Sequence, residues 1–211
     1  LEYNSVPKYN GEEPRKESTE EYRYEFKGFS PEITKVTSNQ EYIAEYNEIK
    51  RIYTVTYIDE GVVETEDYEY GSVVTEKEVS KEGYTFLGWH EENEKVIFPL
   101  TVTRNHTLES KYDINKYDVK FYHEGESYKA GQYDHTVEYK GNATRPDEDP
   151  SKEDYNFEGW VIKGTSTQYT FTEEVTKDIE LESSFSKKPV YEVSFVIDNE
   201  EITKVNVVEG K

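Results

Sequence analysis

Hydrophobic and polar residues alternate along this chain in short runs, and the runs recur. Three share one order of residue types: Tyr53-Thr54-Val55-Thr56-Tyr57-Ile58-Asp59, Tyr117-Asp118-Val119-Lys120-Phe121-Tyr122-His123 and Tyr191-Glu192-Val193-Ser194-Phe195-Val196-Ile197. An aromatic, a valine and a second aromatic stand at i, i+2 and i+4, so each run predicts a strand with one apolar and one polar face. A second pattern is Tyr24-Glu25-Phe26-Lys27-Gly28-Phe29, Tyr84-Thr85-Phe86-Leu87-Gly88-Trp89 and Tyr155-Asn156-Phe157-Glu158-Gly159-Trp160. Its glycine predicts a bulge or a close backbone approach. The ring after the glycine is expected on the opposite face from the Tyr and Phe, packed against a neighbouring element. A third pattern is a turn, Val36-Thr37-Ser38-Asn39, Val102-Thr103-Arg104-Asn105 or Val175-Thr176-Lys177-Asp178, leading into a last strand. Asn and Asp suit such a turn because their short side chains bond the local backbone.

The order of these patterns divides the chain. A complete module is expected at 51–115 and a second, with a longer loop, at 116–188. Residues 1–50 hold the second and third patterns without the first, and look like the C-terminal part of a module. Residues 189–211 hold only an opening hairpin, so both ends read as parts of a longer array. Helix is expected to be minor, with one or two turns at Val73–Lys81, where Val74 and Glu78 stand at i, i+4.

The run Gly83-Tyr84-Thr85-Phe86-Leu87-Gly88-Trp89, followed by a polar excursion and Val102-Thr103-Arg104-Asn105-His106-Thr107-Leu108, resembles the Listeria–Bacteroides repeat, the internalin B-repeat type of bacterial surface proteins. Residues 53–112 carry the closest likeness. Residues 117–185 carry it with a longer excursion, and residues 1–46 carry a variant in which Phe29 replaces the tryptophan. The resemblance implies an α+β, strand-dominated fold of tandem, small β-grasp-like modules in an elongated array. It also implies an exported protein displayed on a bacterial surface, with modules that act as stalks or spacers, some taking part in adhesion; the lack of cysteine, shared by many surface proteins of Gram-positive bacteria, agrees with this. It carries over no catalytic residue and no cofactor.

Composition agrees with several thin cores. Only 33% of residues are hydrophobic, yet there are 20 Tyr, 9 Phe and 2 Trp, and tyrosine can cover a strand face while its hydroxyl reaches water. The net charge of −21 argues against nucleic acid and anionic membrane surfaces as partners, and predicts a soluble monomer. The chain has no cysteine, which removes disulfides, thiolate metal sites and thiol catalysis. No apolar stretch is long enough to insert in a membrane within these residues.

Candidate chemistry is sparse. His90, His106, His123 and His135 lack the spacing of a helical metal pair and are expected at solvent-facing strand ends and turns. The loop acids Asp147-Glu148-Asp149 are candidate calcium ligands without EF-hand spacing. An intramolecular isopeptide bond would need a buried Lys, an Asn and an acid. Tyr3, Tyr9, Tyr22, Tyr68, Tyr70, Tyr128, Tyr133 and Tyr139 lie outside the strongest core positions. They would either cover strand faces or, if clustered in the open, bind a host protein, a cell-surface protein or a glycan. The reading is therefore a non-enzymatic, extracellular stalk or spacer. The alternatives are a tyrosine-based binding module or the accessory region of a large secreted enzyme.

Overall fold

The structure is a computed structural model that describes residues 2–210. Two compact units divide it: residues up to Ser80 with Phe86–Tyr112, and Lys81–Thr85 with Asp113 onward. Strands dominate both, and no α-helix occurs among the described residues.

The first unit opens with a two-stranded antiparallel hairpin, β1 (Tyr22–Ser30) and β2 (Ile43–Lys50). There follow β3 (Ile52–Asp59), β4 (Val62–Glu69), β5 (Val73–Val74), β6 (Tyr84–Glu91), β7 (Glu94–Lys95), β8 (Leu100–Thr101) and β9 (His106–Ile114). Their main sheet has the order β4-β3-β9-β6-β7, while β5 and β8 pair separately. Strand β3 runs antiparallel to β4 and parallel to β9, with Val55 opposite His106 and Tyr57 opposite Leu108. A parallel pair needs a crossover connection. Residues 60–105 supply it, and the strand that follows the Gly-Trp pattern closes the far side.

The second unit repeats this plan with β10 (Lys116–His123), β11 (Glu126–Ser127), β12 (His135–Glu138), β13 (Tyr155–Ile162) and β14 (Ile179–Lys187), then adds a separate hairpin, β15 (Val190–Ile197) and β16 (Glu200–Val208). Again the opening strand is parallel to the last one, with Val119 opposite Ile179 and Phe121 opposite Leu181. The antiparallel partner is broken here. Between β11 and β12 a 3-10 turn, Tyr128–Gly131, loops out with Lys129 and Ala130 at positive φ, and Tyr128 drops into the core.

The alternation reads directly as burial. Val55, Tyr57, Trp89, Val102 and Leu108 form one core; Val119, Phe121, Trp160, Val175 and Leu181 form the other at equivalent places. Among the described residues, none of 2–50 or 189–210 belongs to either core.

Two expectations need correction. The ring after the glycine is on the same face as the Phe before it. A bulge between Phe157 and Gly159, and another between Phe26 and Gly28, adds one residue to the strand. That extra residue reverses the alternation, so Phe157 meets Trp160 at 5.8 Å and Phe26 meets Phe29 at 5.2 Å between centroids. The glycines accept it with φ of 143° at Gly28 and 123° at Gly159, a region L side chains rarely enter. The second correction concerns Val73–Lys81, which is extended after β5 and contains no helical turn. The Lys77 carbonyl accepts from the Trp89 indole Nε1 at 2.8 Å, and Val74 and Val79 both pack on the core. β-Branched residues and a claimed carbonyl leave little reason to coil.

Candidate functional site

The four histidines lie apart, and each has a structural partner. His90 Nδ1 is 3.2 Å from the Gly88 carbonyl, and His123 Nδ1 is 2.9 Å from the Ser183 hydroxyl. His135 Nε2 accepts the Thr144 backbone N–H at 3.0 Å, which leaves the proton on Nδ1 to be donated to the Tyr133 carbonyl at 2.9 Å. That tautomer is neutral. His106 is not solvent-facing: it is 6% exposed, because as the first residue of β9 it lies beside Val55 in the parallel pair. No group of three or more His, Asp or Glu side chains converges as a metal site would among the described residues.

His106 belongs to a polar cluster that sequence reasoning missed. Its Nδ1 donates to Glu91 Oε2 at 3.0 Å. Arg104 clamps the same carboxylate through both terminal nitrogens, at 3.0 and 2.7 Å, and the Thr107 N–H adds a bond at 3.2 Å. Burial alone would raise the Glu91 carboxyl, but these donors outweigh it and hold the group below its usual value. His106 Nε2 is buried without a partner. In the second unit the positions of Glu91 and His106 are taken by Ile162 and Ile179, counting from the shared Gly-Trp and Val-Thr landmarks. Two apolar positions in one repeat are thus a hydrogen-bonded polar pair in the other. That joint change was the available signal, visible only when both strands are compared at once.

The acids at 147–149 do not converge. Asp147 bonds the Tyr133 hydroxyl, Glu148 meets Lys129, and Asp149 accepts from Arg145 at 2.6 Å. Three open depressions of ≈ 540, ≈ 330 and ≈ 140 Å³ border the extended segment around Lys77 in the first unit. The Lys77 amine lies against Glu64 and Glu66 and 5.1 Å above the Tyr57 ring, so the cation is already paired. Nothing lining them pairs a nucleophile with a base. The isopeptide arrangement needs a buried lysine, and His106 is the one buried polar or charged residue among the described residues.

Of the eight tyrosines considered for binding, only Tyr3 and Tyr9 are exposed. Tyr128 is buried, and Tyr68, Tyr70 and Tyr133 pack against the cores. Several hydroxyls donate to acids: Tyr139 to Glu82 at 2.6 Å, Tyr112 to Asp59 at 2.8 Å and Tyr122 to Glu180 at 3.0 Å. A phenol held this way keeps its proton, and Tyr68, Tyr133 and Tyr139 are each pushed up to about 12, first by the bonds to Glu66, Asp147 and Glu82.

The repeated sheet, with its parallel pair and Gly-Trp bulge strand, coincides with a known sequence family. The Listeria-Bacteroides repeat domain matches residues 53–111 and 117–182. The chain belongs to this family. Two relatives come from Evansella cellulosilytica. One, provisionally named a membrane protein, is 35% identical over 136 residues, 61% of this chain and 20% of its own length. The other, provisionally named a Gly-rich membrane protein, is 32% identical over 153 residues, 68% of this chain and 17% of its own. The chain therefore spans about a fifth of the relatives it matches. No helix among the described residues of this repeat chain is long and apolar enough to cross a membrane.

Proposed function

We propose that this chain is a non-catalytic repeat segment of an exported bacterial cell-surface protein and serves as a stalk or spacer. Its β-grasp-like modules span 51–115 and 116–188, with the C-terminal part of a module at 1–50 and an opening hairpin at 189–211. The observation that carries this reading is how one repeat is joined to the next. Arg51 donates its N–H to the Glu21 carbonyl and accepts at its own carbonyl from the Tyr70 N–H, both at 2.8 Å. Asn115 does the same between Gly83 at 2.9 Å and Tyr139 at 2.8 Å. A single residue, bonded on both sides, stands between the last strand of one repeat and the first strand of the next. At the third joint proline has no N–H, so Lys188 donates to the Asp154 carbonyl and Pro189 accepts from Glu209.

At the first two joints only one residue separates the last strand of one repeat from the first strand of the next, as tandem repeats of a spacer would have. The acidic surface and the membrane-protein names of the relatives favour display outside the cell. The scatter of the tyrosines favours a spacer over recognition of a host protein or glycan. Small-angle X-ray scattering tests the stalk directly. A compact chain of 211 residues would have a radius of gyration of about 17 Å; an array gives a value well above that, and a value close to it overturns the proposal.

A further inference from the structure

The two complete sheets differ at one edge. In the first, β4 is an unbroken strand of eight residues that pairs with β3 alone. Seven of the eight are exposed. Outside β3, its backbone meets the described residues only where the Glu69 carbonyl accepts from the Ser72 N–H at 3.0 Å. In the second sheet the corresponding edge is interrupted. Strand β11 meets β10 only at Tyr122 and His123, and β12 meets it only from Lys116 to Val119. Between them the Asp134 carboxylate takes the Phe121 N–H at 3.0 Å. A broken edge resists the addition of a strand, and a straight one invites it.

Charge selects what β4 can accept. The strand carries Glu64, Glu66, Asp67 and Glu69 and no Lys, Arg or Pro. Glu64 and Glu66 stand opposite Tyr57 and Val55, so they share the core side; Asp67 and Glu69 stand opposite Thr54 and Ile52 on the outer side. Lys77 lies against both Glu64 and Glu66, one cation for two carboxylates. On the core side a depression of ≈ 330 Å³ is bordered by Glu66, Tyr68, Val73 and Glu76. A long basic side chain fits it, with its stem along Tyr68 and the exposed Val73 and its charge near the two acids. A second copy of β4 would instead set acid against acid, which is unfavourable across a strand pair.

We propose that the outer edge of β4 takes an extended, lysine- or arginine-rich segment of another protein as a sixth strand of this five-stranded sheet. Main-chain bonds to the edge supply affinity, and the acids choose the partner. Those acids fall in the order acid-x-acid-acid-x-acid from Glu64 to Glu69, which reads the same in both directions. A segment of the form Lys-x-Lys-Lys-x-Lys therefore sets a cation opposite every acid, whether it runs parallel or antiparallel to β4. The second repeat, with its edge interrupted, takes no such strand. This docking edge does not depend on the stalk reading: it lies within one complete repeat.

The probe is the peptide acetyl-Val-Lys-Thr-Lys-Lys-Thr-Lys-Val-amide, titrated into the full chain and followed through the NMR signals of the chain's amides. It should bind with a dissociation constant of about 1 mM or tighter at low salt, and more weakly as salt rises. Hydrogen exchange should slow at those β4 amides that point away from β3, with β11 and β12 unchanged. Proline in place of both threonines keeps every charge and removes one N–H from each edge of the peptide. That peptide should bind at least about tenfold more weakly. Asp67→Asn with Glu69→Gln, both on exposed side chains, should weaken binding of the first peptide at least about threefold. No saturation by about 1 mM, equal binding of the proline peptide, or slowed exchange in β11 and β12 overturns the proposal. So does slowing at the β4 amides as the chain alone is concentrated, since a second copy would then hold the edge.

Discussion

Tyr57 and Trp89 meet edge to face, ring centroids 5.1 Å apart and planes at 73°. Phe121 and Trp160 repeat the contact at 4.9 Å and 77°. Each tryptophan is 1% exposed and anchors a thin core. Substitution of either by Ala should cost about 3–5 kcal/mol. The two differ in one respect: Trp89 Nε1 donates to the Lys77 carbonyl, while Trp160 Nε1 is buried without a partner. Trp89→Phe should therefore destabilise its repeat by about 1 kcal/mol more than Trp160→Phe destabilises the other. Hydrogen exchange at the core-strand amides of the substituted repeat, followed across a urea series, reads each repeat separately.

Glu91 should make the first repeat sensitive to acid. Its carboxyl titrates lower when folded than the ordinary 4.5, so folding is favoured by its ionised form. That contribution is present above about pH 4.5 and is lost as pH falls through the lower folded value. The second repeat carries Ile162 there and lacks the effect. Glu91→Ile alone leaves His106 buried without its acceptor and should cost about 1–3 kcal/mol. Glu91→Ile with His106→Ile restores the residues of the other repeat and should recover most of that loss, because replacing both partners of a buried hydrogen bond by apolar groups can be nearly neutral. Unfolding midpoints of the single and double variants at neutral and acid pH check both statements.

Alkali should act through the tyrosines. Tyr68, Tyr133 and Tyr139 ionise near 12 in the folded chain against 10.0 ordinarily. A group that keeps its proton longer when folded contributes stability below the unfolded value and loses it as pH rises through the folded one, here between about 10 and 12. Absorbance titration should show a late phase in the native chain that is absent in denaturant. Tyr139→Phe should shrink that phase without abolishing it.

The joints make a backbone-level prediction. Asn115→Pro removes the N–H given to Gly83 and should weaken the joint by about 1 kcal/mol. Inserting a lysine before that proline copies the Lys188-Pro189 arrangement and should restore the bond. Hydrogen exchange at the Tyr139 N–H, which bonds to the Asn115 carbonyl, should quicken in the first variant and slow again in the second.

The sequence by itself determined where the strands lie and which side chains fill the cores. Val55, Tyr57 and Leu108, with Val119, Phe121 and Leu181, are legible because alternation along a strand is a local property with a period of two. Four matters needed the tertiary structure. Whether the opening strand runs parallel to the last depends on a crossover of more than forty residues, which no short window contains. The faces of Trp89 and Trp160 depend on how many residues oppose one another across two strands, and the bulge is a count between strands. The extended path of Val73–Lys81 depends on the Trp89 indole claiming the Lys77 carbonyl from another strand. The Glu91–Arg104–His106 cluster joins residues that are ordinary in isolation, and it acquires meaning only when β6 and β9 lie side by side and water is excluded from the imidazole.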